Sequence, residues 1–178
     1  MVDYAIQHRV DAVLLAGDVV DQDNRFFEAR SALARGFGAL NEAGIPVVLV
    51  AGNHDYQVLP ELLRNYSFEN VHFLGEGGRW SAKTLEFAKG SVQFVGWSFA
   101  SRYQRENPME EFNANLISPE LPVVGLLHGD FGLVDTVYAP LSEATLATSD
   151  VHAWVLGHIH KPQVLSHSPL ILYPGSPQ

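Results

Sequence analysis

The sequence contains no cysteine among its 178 residues. This absence excludes disulfides, thiolate metal sites and cysteine nucleophiles. Any metal ion must therefore be held by histidine, aspartate, asparagine or glutamate. Such ligands favour harder ions such as manganese, iron, zinc or magnesium.

Charged residues are also scarce, at 17% of the chain, whereas 47% of the residues are hydrophobic. This composition predicts one compact domain without long disordered tails. The net charge of −9 is a limited argument against a large basic nucleic-acid surface. It is limited because metal-binding carboxylates carry charge that bound cations cancel locally. No apolar run reaches the roughly 18–20 residues that span a membrane, so we expect a soluble, cytoplasmic protein.

Short apolar runs alternate with helical patterns in the first half of the chain. Residues 12–16, 46–51 and 71–74 are typical of strands, and residues 24–43 and 59–66 are typical of helices, the first capped by Asn24. This alternation predicts a largely parallel α/β sheet.

The second half of the chain is richer in strands. A hairpin is predicted around Lys89-Gly90, and a short capped helix is predicted over 142–148. Further strands are predicted over 122–127, 153–156, 163–165 and 170–173. We therefore expect two packed sheets with outer helices.

Four polar clusters stand directly after apolar runs. They are Gly17-Asp18-Val19-Val20-Asp21, Gly52-Asn53-His54-Asp55, His128-Gly129-Asp130 and Gly157-His158-Ile159-His160. In open α/β sheets, ligands gather outside the carboxyl ends of the strands. The four clusters are therefore expected to converge on one crevice.

The residue types of these clusters suit a site with two metal ions. Two divalent ions about 3.5–4 Å apart can hold a phosphate and activate a water for in-line attack. Such a pair needs a bridging carboxylate, for which Asp18 is the candidate. The candidates for the neutral ligands are Asn53, His128, His158 and His160.

A proton must also reach the leaving oxygen of the substrate. His54 adjoins a candidate ligand, and an imidazole titrates near neutral pH, so His54 is the candidate donor. Asp21 is the candidate to orient His54 and to keep it protonated.

Each cluster has an ordinary structural interpretation when it is taken alone. Gly-Asp after a strand is a common turn, and Gly-Asn-His-Asp can form a polar turn. A single histidine such as His128 can be hydrogen-bonded near the core. Because all four clusters occur in this order after buried strands, we favour the metal-binding interpretation.

With these clusters, the chain resembles the calcineurin-like metallophosphoesterase superfamily. The pattern there is Asp-x-His, Gly-Asp-x-x-Asp, Gly-Asn-His-Asp/Glu, His and Gly-His-x-His, and the last four are present from Gly17 to His160. The resemblance implies a four-layer α-β-β-α sandwich with two divalent ions, Asp18 bridging them. It places Asn53, His128 and His158 at one ion, His160 at the other, and His54 with Asp21 as the proton donor pair.

Two further segments resemble the SbcD-type DNA repair exonucleases. They are Gly157-His158-Ile159-His160-Lys161-Pro162-Gln163 and Tyr173-Pro174-Gly175-Ser176-Pro177-Gln178. This resemblance implies manganese-dependent cleavage of DNA phosphodiesters, an SMC-like ATPase partner, a capping domain beyond Gln178, and a homodimer by family analogy.

The Asp-x-His cluster is absent before Asp18, since Asp3 and His8 have neither its spacing nor a preceding strand. We therefore expect residues 1–178 to be a nuclease domain truncated at the N-terminus, without its first strand, and also truncated at the C-terminus. One metal site is then incomplete, with Asp18 and His160 as its remaining ligands. Loss of even an indirect metal partner typically costs about 10–100-fold in affinity or activity, so we expect weak activity at best from this chain.

Three hypotheses follow for the function. The leading one is a DNA exonuclease or endonuclease of the repair type. The second is a phosphoesterase acting on nucleotides, cyclic nucleotides or phosphoproteins. The third is a non-catalytic binding or scaffold subunit with a degenerate metal site.

Overall fold

The computed structural model describes residues 1–20, 27–66 and 68–177, with backbone only for 27–29. The α-helices are α1 (Val2–His8), α2 (Phe27–Glu42), α3 (Val58–Asn65) and α4 (Glu143–Ala147). Two short 3-10 helices span Pro108–Glu111 and Ala114–Leu116. The strands are β1 (Val13–Ala16), β2 (Val47–Val50), β3 (Val71–Phe73), β4 (Ser81–Phe87), β5 (Gly90–Gly96), β6 (Val123–His128), β7 (Ala153–Gly157), β8 (Gln163–His167) and β9 (Leu170–Tyr173). The predicted start of the second helix at Asn24 lies outside the described residues.

The strands form two sheets. Sheet A contains β1, β2 and β3 in that order, all parallel. Sheet B has the order β4-β5-β6-β7-β9-β8, in which β5, β6, β7 and β9 are parallel and the two edge strands are antiparallel. The predicted hairpin is confirmed as β4 and β5.

The two sheets pack face to face, and helices cover both outer faces. Side chains of β2 alternate: Val47 and Leu49 pack with the helices α1, α2 and α3, whereas Val48 and Val50 pack against sheet B. The outer face of sheet B packs against α4 and the first 3-10 helix, with Trp154 fully buried in that cluster. The predicted four-layer α-β-β-α sandwich is confirmed.

The burial of β1 is less complete than its uninterrupted apolar sequence at residues 12–16 indicates. All four residues of β2 are fully buried, but Val13, Leu14 and Leu15 of β1 are only partly buried. The reason is position, since β1 is an edge strand of sheet A within the described residues. The expected additional strand beside it stays a prediction.

The sandwich brings several strand ends together. At one edge, β1 of sheet A contacts β6 and β7 of sheet B. Nearby, the N–H of Phe99 after β5 donates to the carbonyl of Ala51 after β2, at 3.1 Å. The carboxyl ends of β1, β2, β5, β6 and β7 therefore share one edge of the molecule. Among the described residues, no helix is both long and apolar enough to cross a membrane.

Candidate metal centre

Asp18 lies in a tight turn that follows β1. Its backbone is in the left-handed region, with φ 53°, directly after Gly17 with φ 86°. Oδ1 of Asp18 accepts the backbone N–H of His54 at 2.9 Å, and Oδ2 lies 3.1 Å from Nε2 of His128. Burial pushes the pKa of Asp18 upward, but the hydrogen bond and charge of His128 outweigh it and leave the pKa below its usual value. Asp18 is therefore a carboxylate at neutral pH.

His128 ends β6 and is completely buried. Its Nδ1 lies 2.9 Å from the carbonyl oxygen of Ala16, which can only accept, so Nδ1 carries the ring proton. Its Nε2 lies 3.0 Å from Oδ1 of Asn53 and 3.1 Å from Oδ2 of Asp18. When Nε2 carries no proton, three electron-pair donors face one another there, an arrangement that a cation among them would satisfy.

Glycines of the strand-end clusters make room for His128. A Cβ built on Gly52 would overlap Oδ1 of Asp18 and the imidazole of His128. A Cβ on Gly157 would overlap the carbonyl oxygen of Ala16 and approach Nδ1 of His128. The glycines in these clusters are thus required by the close approach of three loops, not only by turn geometry.

Asp55 joins the loops after β1 and β2. It is fully buried, and its carboxylate accepts the N–H of Gly52 at 2.7 Å and the N–H of Val19 at 2.6 Å. Burial, and then repulsion from Asp18, raises the pKa of Asp55 to about 6. A cation held at Asp18 would offset that repulsion. The sequence pattern places Asp55 in the Gly-Asn-His-Asp cluster but does not indicate this role.

His158 follows β7 with an unusual backbone, at φ 102°. Its ring centroid is 5.2 Å from that of His128, and its Nε2 is 3.3 Å from Oδ1 of Asp130. Burial and the charge of His128 lower the pKa of His158, although Asp130 and Asp18 act in the opposite direction. The ring is therefore neutral at pH 7, which is the form that binds a metal.

Asp130 is a buried carboxylate that positions His158. Its Oδ2 accepts a hydrogen bond from the hydroxyl of Thr136 at 2.5 Å. Its other oxygen, Oδ1, faces Nε2 of His158. The hydroxyl of Tyr173 anchors the same loop, donating to the carbonyl of Gly129 at 2.6 Å and accepting the N–H of Phe131 at 2.9 Å. The sequence pattern does not indicate this role of Asp130, although metal-binding histidines commonly donate their second N–H to a carboxylate.

The remaining predicted site residues have different positions. His54 is half-buried beside Asn53, and its backbone N–H donates a hydrogen bond to Oδ1 of Asp18. His160 is exposed; its carbonyl accepts the N–H of Ser176 at 2.9 Å. Its proposed role at a second ion stays a prediction. Asp21 lies outside the described residues.

These donors fit a divalent cation. Ligand atoms of Asp18, His128 and His158 all lie within 4.8 Å of one another, and the buried amide of Asn53 adjoins them. One carboxylate with an amide and two imidazoles suits manganese, iron or zinc. The structure thus brings together four of the five predicted metal ligands.

The family match and a curated relative of the chain both indicate a metallophosphoesterase. The family described as "Calcineurin-like phosphoesterase" matches residues 1–162. An uncharacterized metallophosphoesterase of Bacillus subtilis, YhaO, is 33% identical over 181 residues, covering 100% of this chain and 44% of that protein. The DNA double-strand break repair protein Mre11 of Sulfurisphaera tokodaii is 26% identical over 189 residues, covering 99% of this chain and 46% of that protein. The chain spans less than half the length of these curated relatives.

Solved structures of low sequence identity share the fold. The protein TT1561 of Thermus thermophilus superposes with a TM-score of 0.59 at 19% identity, covering 98% of this chain and 81% of that one. A dimetal phosphatase from Danio rerio gives a TM-score of 0.55 at 16% identity, covering 97% and 74% of the two chains. Both comparisons support the sandwich architecture.

Proposed function

The chain belongs to the calcineurin-like metallophosphoesterase family, and from this premise we propose that it is a metal-dependent phosphodiesterase that cleaves DNA. The observation that carries the proposal is the convergence of Asp18, Asn53, His128 and His158 at the strand ends. These side chains come from four separate strand ends that lie far apart in the sequence. A purely structural polar cluster would not need so many neutral nitrogen and oxygen donors.

The residues of the centre have distinct roles in this proposal. Asp18, Asn53, His128 and His158 would hold divalent ions, whose chemistry there would be charge neutralisation of the phosphate and activation of water for in-line attack. Asp55 holds the ligand loops in place, and Asp130 holds the ring of His158. His54 adjoins the ligands and donates a proton to the leaving oxygen.

Two observations support DNA as the substrate. The Sulfurisphaera tokodaii relative is named for DNA double-strand break repair. The two segments that resemble SbcD-type exonucleases also meet in the structure: Ser176 hydrogen-bonds to His160, and Gly175 approaches Pro162 so closely that a side chain there would collide. We propose exonuclease or endonuclease action with manganese, and an SMC-like ATPase as the partner of the full-length protein.

The proposal is tested by manganese-dependent cleavage of DNA with the His54→Ala variant of the full-length protein. General acid catalysis typically contributes about 10²–10⁴-fold, so His54→Ala should lower the cleavage rate by that factor. His167→Ala is the matched control, because His167 is exposed on β8 and has no part in the centre.

Bis(p-nitrophenyl) phosphate serves as the second substrate. Rapid hydrolysis of this small diester without DNA cleavage would contradict the nuclease proposal and favour another phosphoesterase. Equal rates for the wild type and His54→Ala would refute the role of His54.

A further inference from the structure

A row of side chains leads from the metal centre to the surface. The ring of Tyr138 lies 5.0 Å from that of His158, and the ring of Tyr103 lies 6.0 Å beyond Tyr138. The guanidinium of Arg102 lies 5.9 Å from the centre of the Tyr103 ring. We call Tyr138, Tyr103 and Arg102 the aromatic row.

Backbone hydrogen bonds fix the aromatic row to the metal centre. The N–H of Gln104 donates to the carbonyl of Val137 at 2.8 Å, and the N–H of Ala139 donates to the carbonyl of Gln104 at 2.8 Å. The N–H of Asp130, the residue that faces His158, donates to the carbonyl of Tyr138 at 2.9 Å. The spacing between the row and the centre is thus set by main-chain contacts rather than by mobile side chains.

Arg102 and Tyr103 of the aromatic row lie on the loop that follows β5. The loops after β1, β2, β6 and β7 each provide a candidate ligand or follow a strand that ends in one, whereas the loop after β5 provides none. That loop instead packs Phe99 edge-on against His128, at 5.7 Å between ring centres, and then continues to Tyr103. It leads directly from a buried ligand to an exposed aromatic ring.

The surface of the row suits an anionic, aromatic ligand. Tyr103 is 53% exposed, although a large aromatic ring gains free energy when it is covered. Arg102 and Arg105 add two exposed cations to a chain of net charge −9. The neighbouring carboxylate of Glu106 is turned to the amide of Gln104, and the facing loop carries one exposed acid, Asp135.

We propose that the aromatic row binds an unpaired nucleobase of the substrate, stacked on Tyr103, while the phosphate lies at the metal centre. The inference rests on the proposed function and names the form of nucleic acid that it takes. A base exposes its face for stacking on an aromatic side chain only when it is unpaired or at a strand end. Aromatic platforms beside a cationic contact recognise single strands in this way, without preference for sequence.

The test compares the wild type, Tyr103→Ala and Tyr103→Phe in the full-length protein. The substrates are a single-stranded thymidine oligonucleotide and an oligonucleotide of equal length in which every residue is abasic. Cleavage is followed on gels with manganese, and binding is followed by fluorescence anisotropy. Because Tyr103 is exposed, the variants should fold, which circular dichroism verifies.

Tyr103→Ala should lower kcat/KM and affinity for the thymidine oligonucleotide by about 5- to 100-fold. Tyr103→Phe should leave both unchanged, and all three proteins should treat the abasic oligonucleotide alike. The inference would be overturned if Tyr103→Ala kept the wild-type kcat/KM and affinity, or lost them equally on the abasic oligonucleotide. In either case, cleavage of DNA by the wild type would still support the nuclease proposal. Absence of DNA cleavage would overturn the nuclease proposal, and the binding comparison would still decide whether a base stacks on Tyr103.

Discussion

At the scale of single residues, two buried carboxylates, those of Asp55 and Asp130, hold the candidate metal ligands in position. The ligands Asp18, Asn53, His128 and His158 were predictable because each follows or ends an apolar run within a recognisable cluster. The roles of Asp55 and Asp130 were not predictable from the sequence. Asp55 binds the backbone 36 residues away at Val19, and Asp130 faces a histidine on a different loop, so only the packing of the loops brings these partners together.

The role of Asp130 leads to a prediction about metal affinity. Asp130→Asn should weaken manganese binding by about 10–100-fold, because the neutral amide orients and polarises His158 less well. Thr136→Val should weaken binding less, and Thr136→Ser, which keeps the hydroxyl, should bind as the wild type does. Isothermal titration calorimetry measures these affinities, and wild-type affinity in Asp130→Asn would contradict the positioning role.

At the scale of elements, the strands and the short helices follow their sequence patterns closely. Ser142 caps α4, accepting the N–H of Thr145 at 3.3 Å, as predicted. The partial exposure of β1 was not predictable, because an apolar run does not reveal whether its strand lies at the centre or the edge of a sheet. The strands are joined where the loops after β1, β2 and β7 contact His128.

The close approach of these loops leads to a prediction about Gly157, the last residue of β7. Gly157→Ala should destabilise the protein by about 1–3 kcal/mol, the usual cost of overpacking, because its Cβ would push Ala16 away from His128. Gly38→Ala is the matched control: among the described residues its Cβ would meet Phe68 alone, at 4.0 Å, and alanine in helix α2 should raise stability by up to about 1 kcal/mol. Urea denaturation measures both free energies of unfolding. Equal stability of the Gly157→Ala variant and the wild type would show that the loops have room to spare.

At the scale of the whole molecule, the two sheets act as one support for the metal centre. Asp18 and Asn53 follow strands of sheet A, and His128 and His158 end or follow strands of sheet B. The two packed sheets and the convergence of the ligands were predictable from the sequence, but the separations between the ligand atoms, within 4.8 Å for Asp18, His128 and His158, were not. That packing follows from the alternation of β2, whose two faces serve two separate hydrophobic clusters.

The most direct test of the central claim is titration of the full-length protein with manganese by calorimetry, comparing the variants Asp18→Asn and Asp11→Asn. The two aspartates flank the same strand, β1, but Asp11 is exposed at its opposite end. The wild type and Asp11→Asn should bind manganese equally, and Asp18→Asn should bind at least about 10–100-fold more weakly. Wild-type affinity in a correctly folded Asp18→Asn variant would contradict the metal centre described above.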